Sequence, residues 1–528
     1  MTEPAIITPP LSVVPATPEP WRPGNALTMC LLALIMAISA GLRLHALAAK
    51  VFWFDETLSA GVAMMHWPQF FLTLWTREAN SAFYLFLLHV WVALGTTPGI
   101  FRGLSLLFSV ATIPVIYALG ERLFGRITGL LAAWFLAINA FHIRYAQEAR
   151  GYTLVAFFAV VATWLLVRNM EEPASAKWGL YTAACAAAVY SHLFGLLVVM
   201  VHVLWIANSH RSGLPLRQFW RSLFWFFCAL IPLAAFTLKA RTSTVNWIGP
   251  TEPTLILKLG EEIAGNWGFR LVSVEAFAIT VAAICAWRRL RGTDCRWNGW
   301  NYTLLFIWLF VPPALTIAVS WLHPVFLPRY LIICLPASIL LVACGVARLR
   351  PRVIALALCV SISAFSLLGT IAYYHHDFDL TRDRWIAASS YVLDHARPGD
   401  GAYFYTRMGR VPFEYYRSQR HPVPAWPQTL MSGNGDGLTW QDFDSVPIGE
   451  SLRDAHPSGD RVWLILQFDT LPNGLPDRGS TFLRGYYGHG RHLMETKRFV
   501  GVTVLLFARE PGETAEATAT NRFTATHF

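Results

Sequence analysis

Two adjacent carboxylates, Asp55-Glu56, follow the aromatic run Phe52-Trp53-Phe54. Such a pair can act as a base and a supporting acid or metal ligand. It also suits the first turn of a helix, where the dipole favours negative charge, and both readings stand at this point. A second polar cluster, His142-Ile143-Arg144-Tyr145-Ala146-Gln147-Glu148-Ala149-Arg150-Gly151-Tyr152, is confined between two apolar runs. Glu148 stands four residues from both Arg144 and Tyr152. That spacing fits an ion-paired turn as well as a polar cluster facing the first one. Arg102 and Arg329-Tyr330 each open an apolar run. A guanidinium presents a planar fork of donors to phosphate, but it also snorkels to lipid headgroups. His192, at a short turn, is open to the same two readings. Glu275 lies inside an apolar run, and pairing with Arg270 is the favoured expectation.

These residues sit among long apolar stretches. Of the 528 residues, 55% are hydrophobic and only 14% charged, against about a quarter charged in a soluble domain. A membrane span needs about 20 apolar residues. Ala26–Leu47, Ile100–Leu119, Ile127–Ile143, Gly151–Val167, Ser222–Leu238, Leu271–Trp287, Tyr302–Val319, Tyr330–Ala347 and Val353–Tyr373 qualify. Trp178–Asn208 is too long for one span and is divided near Ser191-His192. The expected fold is therefore an all-α polytopic membrane domain of about eleven transmembrane helices over 26–374, followed by an α/β soluble domain over 375–510. Ala82–Leu94 is too short to cross and reads as an amphipathic interfacial helix. In the soluble part, Asp383–Ala396 has helical spacing, and Ala402–Tyr405, Arg461–Phe468 and Val500–Phe507 read as strands. Residues 1–25 are Pro-rich and polar, lack the marks of a cleaved signal peptide, and are expected to be disordered in the cytoplasm. Residues 511–528 read as a flexible tail.

The net charge of +10 does not point to nucleic acid. Most of the surplus lies in short loops between apolar runs, as the positive-inside rule requires of cytoplasmic loops. With the N-terminus cytoplasmic, the segments holding Asp55, Glu148, His192 and Arg329, and everything after Tyr373, fall outside. The expected location is the inner (plasma) membrane, in contact with membrane lipids. The eight cysteines lack metal-ligand spacing, and none lies after residue 375. No disulfide framework or cysteine zinc site is expected.

Asp55-Glu56, Arg102, Glu121-Arg122-Leu123-Phe124-Gly125, Tyr145–Tyr152, His192 and Pro328-Arg329-Tyr330 with Pro336 together resemble the C-type glycosyltransferases. The resemblance is to the bacterial branch related to protein O-mannosyltransferases and to the aminoarabinose and galacturonic acid transferases of lipopolysaccharide. It covers roughly residues 30–345 and departs at Ala79-Asn80-Ser81, where relatives often carry His or Lys followed by Pro. The resemblance implies transfer of a sugar from a polyprenyl-phosphate donor to a glycan, lipid or protein acceptor, with inversion. It implies Asp55 as general base, with Glu56 and Glu148 positioning groups or helping to hold a divalent cation. Arg102, Arg150 and Arg329 become candidates for the leaving phosphate, and Tyr145, Tyr152, His192 and Tyr330 further candidates for substrate binding. Metal use is left open, since carboxylates alone do not name a metal.

Two other classes compete. A transporter or flippase of lipid-linked saccharide would also place Arg near phosphate, but it more often shows internal repeats and broken spans with buried charges. A non-catalytic membrane scaffold would leave the polar outer segments unexplained.

Overall fold

The computed structural model describes residues 26–209, 213–239, 248, 252–265, 268–291, 296–375, 384–430, 438, 460–467, 469–470 and 475–509. The expected tails 1–25 and 511–528 lie outside the described residues. The chain begins with α1 (Ala26–Leu44), then three short helices, α2 (Phe54–Ala63), α3 (Trp67–Thr76) and α4 (Ala82–Trp91). The membrane half continues with α5 (Pro98–Phe124), α6 (Arg126–Ile138), α7 (Ala140–Ala146), α8 (Tyr152–Glu171), α9 (Trp178–Ser191) and α10 (Gly195–Ala207). It closes with α11 (Leu216–Lys239), α12 (Pro253–Ala264), α13 (Gly268–Arg291), α14 (Arg296–Ser320), α15 (Leu335–Arg348) and α16 (Arg352–His375).

Among the described residues, eight helices are long and apolar enough to cross a membrane, and a bent pair makes up to nine. Helices α9 and α10, with 14 and 13 residues, fill the divided stretch expected from its length. Helices dominate because hydrocarbon offers backbone groups no water, so each segment must satisfy its own. The protein is multi-pass. Helix α4 buries Ala82, Tyr84, Leu85 and Leu88 and exposes Phe86 and Val90, the two-sided character expected of an interfacial element.

The stretch expected as one span from Ile127 to Ile143 is instead broken. Helices α6 and α7 meet at 59°. Asn139 caps the second, its side chain accepting from His142 N at 3.0 Å. The carbonyls freed at the break are taken by Arg43 of α1, which donates to Ala137 O at 2.8 Å and Leu136 O at 3.3 Å. A cation at a helix C-terminus opposes the negative end of the dipole, so a fully buried arginine stabilises a bend inside lipid. The bend sets the direction in which α7 delivers Arg144–Arg150. Glu275 forms no ion pair with Arg270. It is buried on the packed face of α13 beside Leu271 and Ala278, while Arg270 is exposed.

The C-terminal part is a mixed five-stranded sheet flanked by α17 (Trp385–His395), α18 (Arg410–Ser418) and α19 (Arg478–Gly488). Its strands are β1 (Gly401–Tyr405), β2 (Gln428–Thr429), β3 (Arg461–Gln467), β4 (His492–Phe499) and β5 (Val502–Ala508), in the order β2-β1-β3-β5-β4. Strands β2, β1 and β3 run parallel, and β5 and β4 are antiparallel. The readings for α17, β1, β3 and β5 hold to within two residues.

Candidate functional site

The site begins where the chain leaves α1. The first turn of α2 carries Asp55 and Glu56, so the helix-dipole reading and the chemical one apply to the same pair. Glu56 turns inward. Its carboxylate accepts from Arg102 Nε at 2.8 Å, Arg102 Nη2 at 2.7 Å and Ala149 N at 2.8 Å. Arg102 also donates through Nη1 to Leu47 O at 2.7 Å and Lys50 O at 3.1 Å, and through Nη2 to Val51 O at 3.1 Å. All five guanidinium donors are thereby used. The two side chains are 1% and 0% exposed.

The geometry narrows three expectations, and for Glu56 and Glu148 it favours the positioning role over direct contact with substrate. Arg102 has no donor left for a phosphate. Glu56 is sealed from any reacting group and acts as a brace between the segment joining α1 to α2, helix α5 and the turn between α7 and α8. Glu148 is 2% exposed and pairs with Arg144 at 3.6 Å, so it too supports the segment rather than facing a substrate. The ion-paired turn and the cluster facing the first segment are both present.

One helical step before Glu56, Asp55 points about 100° away around α2. Its carboxylate stands 3.9 Å from Arg329 Nη2, and both side chains keep a fifth of their surface open. Arg150 reaches the same place, its Nη1 lying 3.3 Å from Ser59 Oγ and 3.5 Å from Asp55 O. Burial works against the Arg150 charge, but Asp55, Tyr152 and Glu78 outweigh it and hold the guanidinium above its ordinary range. Glu78, which the sequence reading did not single out, is raised by burial, lowered in part by Arg150 and raised further by Asp55. Its signal was weak, a single acid in a short polar break between apolar helices.

An aromatic wall completes the site. The Tyr330 ring lies 4.8 Å from His192, 5.1 Å from Phe194 and 6.4 Å from Tyr152. Tyr152 continues to Tyr145 at 4.9 Å. Tyr145 is 2% exposed and acts as backing for the wall. Trp53 and Tyr330 each place a ring 5.8 Å from the Arg329 guanidinium carbon. His192 Nδ1 accepts from Phe194 N at 3.3 Å. Burial, then Arg150 and Arg329, push its pKa down to about 3, so the ring is neutral with its proton on Nε2. Gly151 lets the end of α9 come close to the start of α8, because a Cβ there would meet Ser191 O at 2.8 Å. The departing segment Ala79-Asn80-Ser81 braces the same turn, Asn80 Oδ1 accepting from Leu193 N at 3.0 Å.

The donor set favours anions. Asp55, Glu56 and Glu148 each face a guanidinium. Among the described residues, no three His, Cys, Asp or Glu side chains are grouped to hold a metal ion.

Residues 99–238, from α5 into α11, match the family model of dolichyl-phosphate-mannose-protein mannosyltransferases. No curated protein sequence matches the chain. Among solved structures, ArnT from Cupriavidus metallidurans in the apo state superposes with a TM-score of 0.59 at 14% identity, over 91% of this chain and 98% of that one. The same protein bound to undecaprenyl phosphate gives 0.57 at 14%, over 90% and 98%. The Archaeoglobus fulgidus oligosaccharyltransferase tethered with an acceptor peptide gives 0.50 at 11%, over 84% and 69%. The fold is therefore like that of ArnT and, more distantly, of the archaeal oligosaccharyltransferase. At these identities the likeness is one of fold.

Proposed function

We propose that the chain is a membrane glycosyltransferase. It moves a sugar from a polyprenyl-phosphate donor to a hydroxyl of a glycan, lipid or protein acceptor on the extracytoplasmic face. The observation that carries the reading is a partly open carboxylate, Asp55, facing Arg329, with Arg150 reaching the Asp55 backbone carbonyl, beside an aromatic wall. Asp55 takes the proton of the acceptor hydroxyl as its oxygen bonds to the anomeric carbon. The bond from that carbon to the phosphate oxygen breaks on the opposite face, which inverts the centre. The electron pair leaves with the polyprenyl phosphate, and Arg329 and Arg150 neutralise the charge that develops there. The half-buried ring of Tyr330 offers a flat face for a sugar, with the buried His192 and Tyr152 rings packed behind it. A polyprenyl tail stays in lipid, so no nucleotide pocket is required.

The family match and the solved relatives support transfer over the flippase alternative. The test is Asp55→Asn in the purified full-length protein, with radiolabelled lipid-linked sugars from native membranes as donors. Asn keeps the size of the side chain but cannot accept the proton. Transfer should fall about a hundred- to ten-thousand-fold, with unchanged elution in detergent. A monodisperse variant with full transfer overturns the assignment of Asp55.

A further inference from the structure

The soluble domain meets the membrane domain at the segment that ends in Asp55. Trp53 has extended backbone, with φ −82° and ψ 174°, so neighbouring side chains point to opposite sides. Trp53 faces Arg329, whereas Phe52 and Phe54 face the soluble domain. The Phe52 ring lies 5.0 Å from Tyr415 and 5.7 Å from Phe101. Its carbonyl accepts a hydrogen bond from the Tyr416 hydroxyl. Phe54 stacks on Trp385 with centroids 6.3 Å apart and planes at 26°. Trp385 is itself seated against Gly409, where a Cβ would come within 2.7 Å of the indole. Tyr415 and Tyr416 also border the Glu56–Arg102 pair. Burial raises both phenols, and the Glu56 charge adds to the effect. Two successive turns of aromatic contact therefore grip the backbone immediately before the reactive acid.

We propose that Tyr416 and Trp385 are positioning residues for the transfer reaction, by which the soluble domain fixes the Phe52–Asp55 segment and so aims the Asp55 carboxylate at Arg329. This rests on the reading of Asp55 as the base. It gives the soluble domain a part in the chemistry without contact with the reacting atoms.

The Glu56 and Thr57 amides, both donating to Trp53 O at 3.0 Å, report on the segment independently of activity. Hydrogen exchange is measured on the detergent-solubilised full chain. In Tyr416→Phe and Trp385→Ala the peptide covering these amides should exchange about tenfold faster, equivalent to about 1.4 kcal/mol. Peptides over β3 should be unchanged. Trp385→Phe, which keeps the stacking, should behave as wild type. With radiolabelled lipid-linked sugars from native membranes as donor, kcat should fall about tenfold in the first two variants, while the donor KM stays within about twofold. If Trp385→Ala loosens β3 as well, Tyr416→Phe and Trp385→Phe decide. Unchanged exchange at Glu56 and Thr57 overturns the proposal, and so does a loosened segment with unchanged kcat. Wild type that transfers no sugar defeats the functional reading instead, and the exchange result still decides whether the segment is held.

Discussion

Arg102 and Arg329 look alike in the sequence, each an arginine at the start of an apolar run, yet they have opposite fates. Arg102 is consumed by Glu56 and three carbonyls. Removing one member of a buried pair leaves an uncompensated charge and costs about 3–5 kcal/mol. Arg329 keeps part of its surface open beside Asp55, where losing a charge-assisted bond costs about 1.5–3 kcal/mol of binding. Arg102→Ala should therefore lower the thermal unfolding midpoint or abolish folded protein. Arg329→Ala should unfold near the wild-type temperature and lose roughly ten- to a hundredfold in kcat/KM for the donor. Thermal unfolding in detergent and donor saturation separate the two, and equal loss of stability in both would refute the distinction. Residue types revealed where polar chemistry gathers, and Asp55, Arg150, Tyr152, His192, Arg329 and Tyr330 do come together. They did not reveal which of two adjacent acids is sealed. That depends on a one-residue rotation around α2 and on partners 46 and 93 residues away in the chain.

At the scale of elements, apolar length carried most of the information, because a span declares itself by what lipid demands of it. Breaks inside a span do not declare themselves. The α6–α7 bend falls at Asn139 within an apolar stretch, and its stabilising group, Arg43, lies on another helix. Strand β4 was missed because six of its eight residues are exposed, including Thr496, Lys497 and Arg498, and an edge strand of that kind lacks the alternation that marks a half-buried one. Helix pairing was not legible either. Helices α13 and α15 touch through small residues, and a Cβ on Gly345 would stand 1.9 Å from Ala278 O. Small residues bring helix backbones close where the hydrophobic effect cannot drive association. Gly345→Val should push α15 away from the α13 face carrying Ala278 and Ala282, at a cost of about 1–3 kcal/mol from overpacking. A lowered unfolding midpoint in detergent, with residual activity in proportion to folded protein, is the expected result. A midpoint equal to wild type would mean that the seam has room the geometry does not show.

For the whole molecule, the direction of insertion decides whether the chemistry has access to its substrates. The basic residues Arg122, Arg168 and Lys177 cluster at one end of the helices, where Arg122 pairs with Glu171 at 2.7 Å and Glu172 at 2.8 Å. Asp55, Arg150, His192, Arg329 and the soluble domain are gathered at the other end. Short loops rich in Lys and Arg stay in the cytoplasm, which supports the proposal that the site and the soluble domain lie outside, where a lipid-linked donor serves in place of a nucleotide sugar. The exposed positions Ser175, between α8 and α9, and Gln419, after α18, report on the two sides. In a cysteine-free background, Gln419→Cys in right-side-out membrane vesicles should react with a membrane-impermeant maleimide. Ser175→Cys should react only after the vesicles are permeabilised. The reverse pattern would place the Asp55 site in the cytoplasm and remove the physical reason for a lipid-linked donor. Labelling of both positions in sealed vesicles would show that the helices do not separate two compartments as their charge distribution requires.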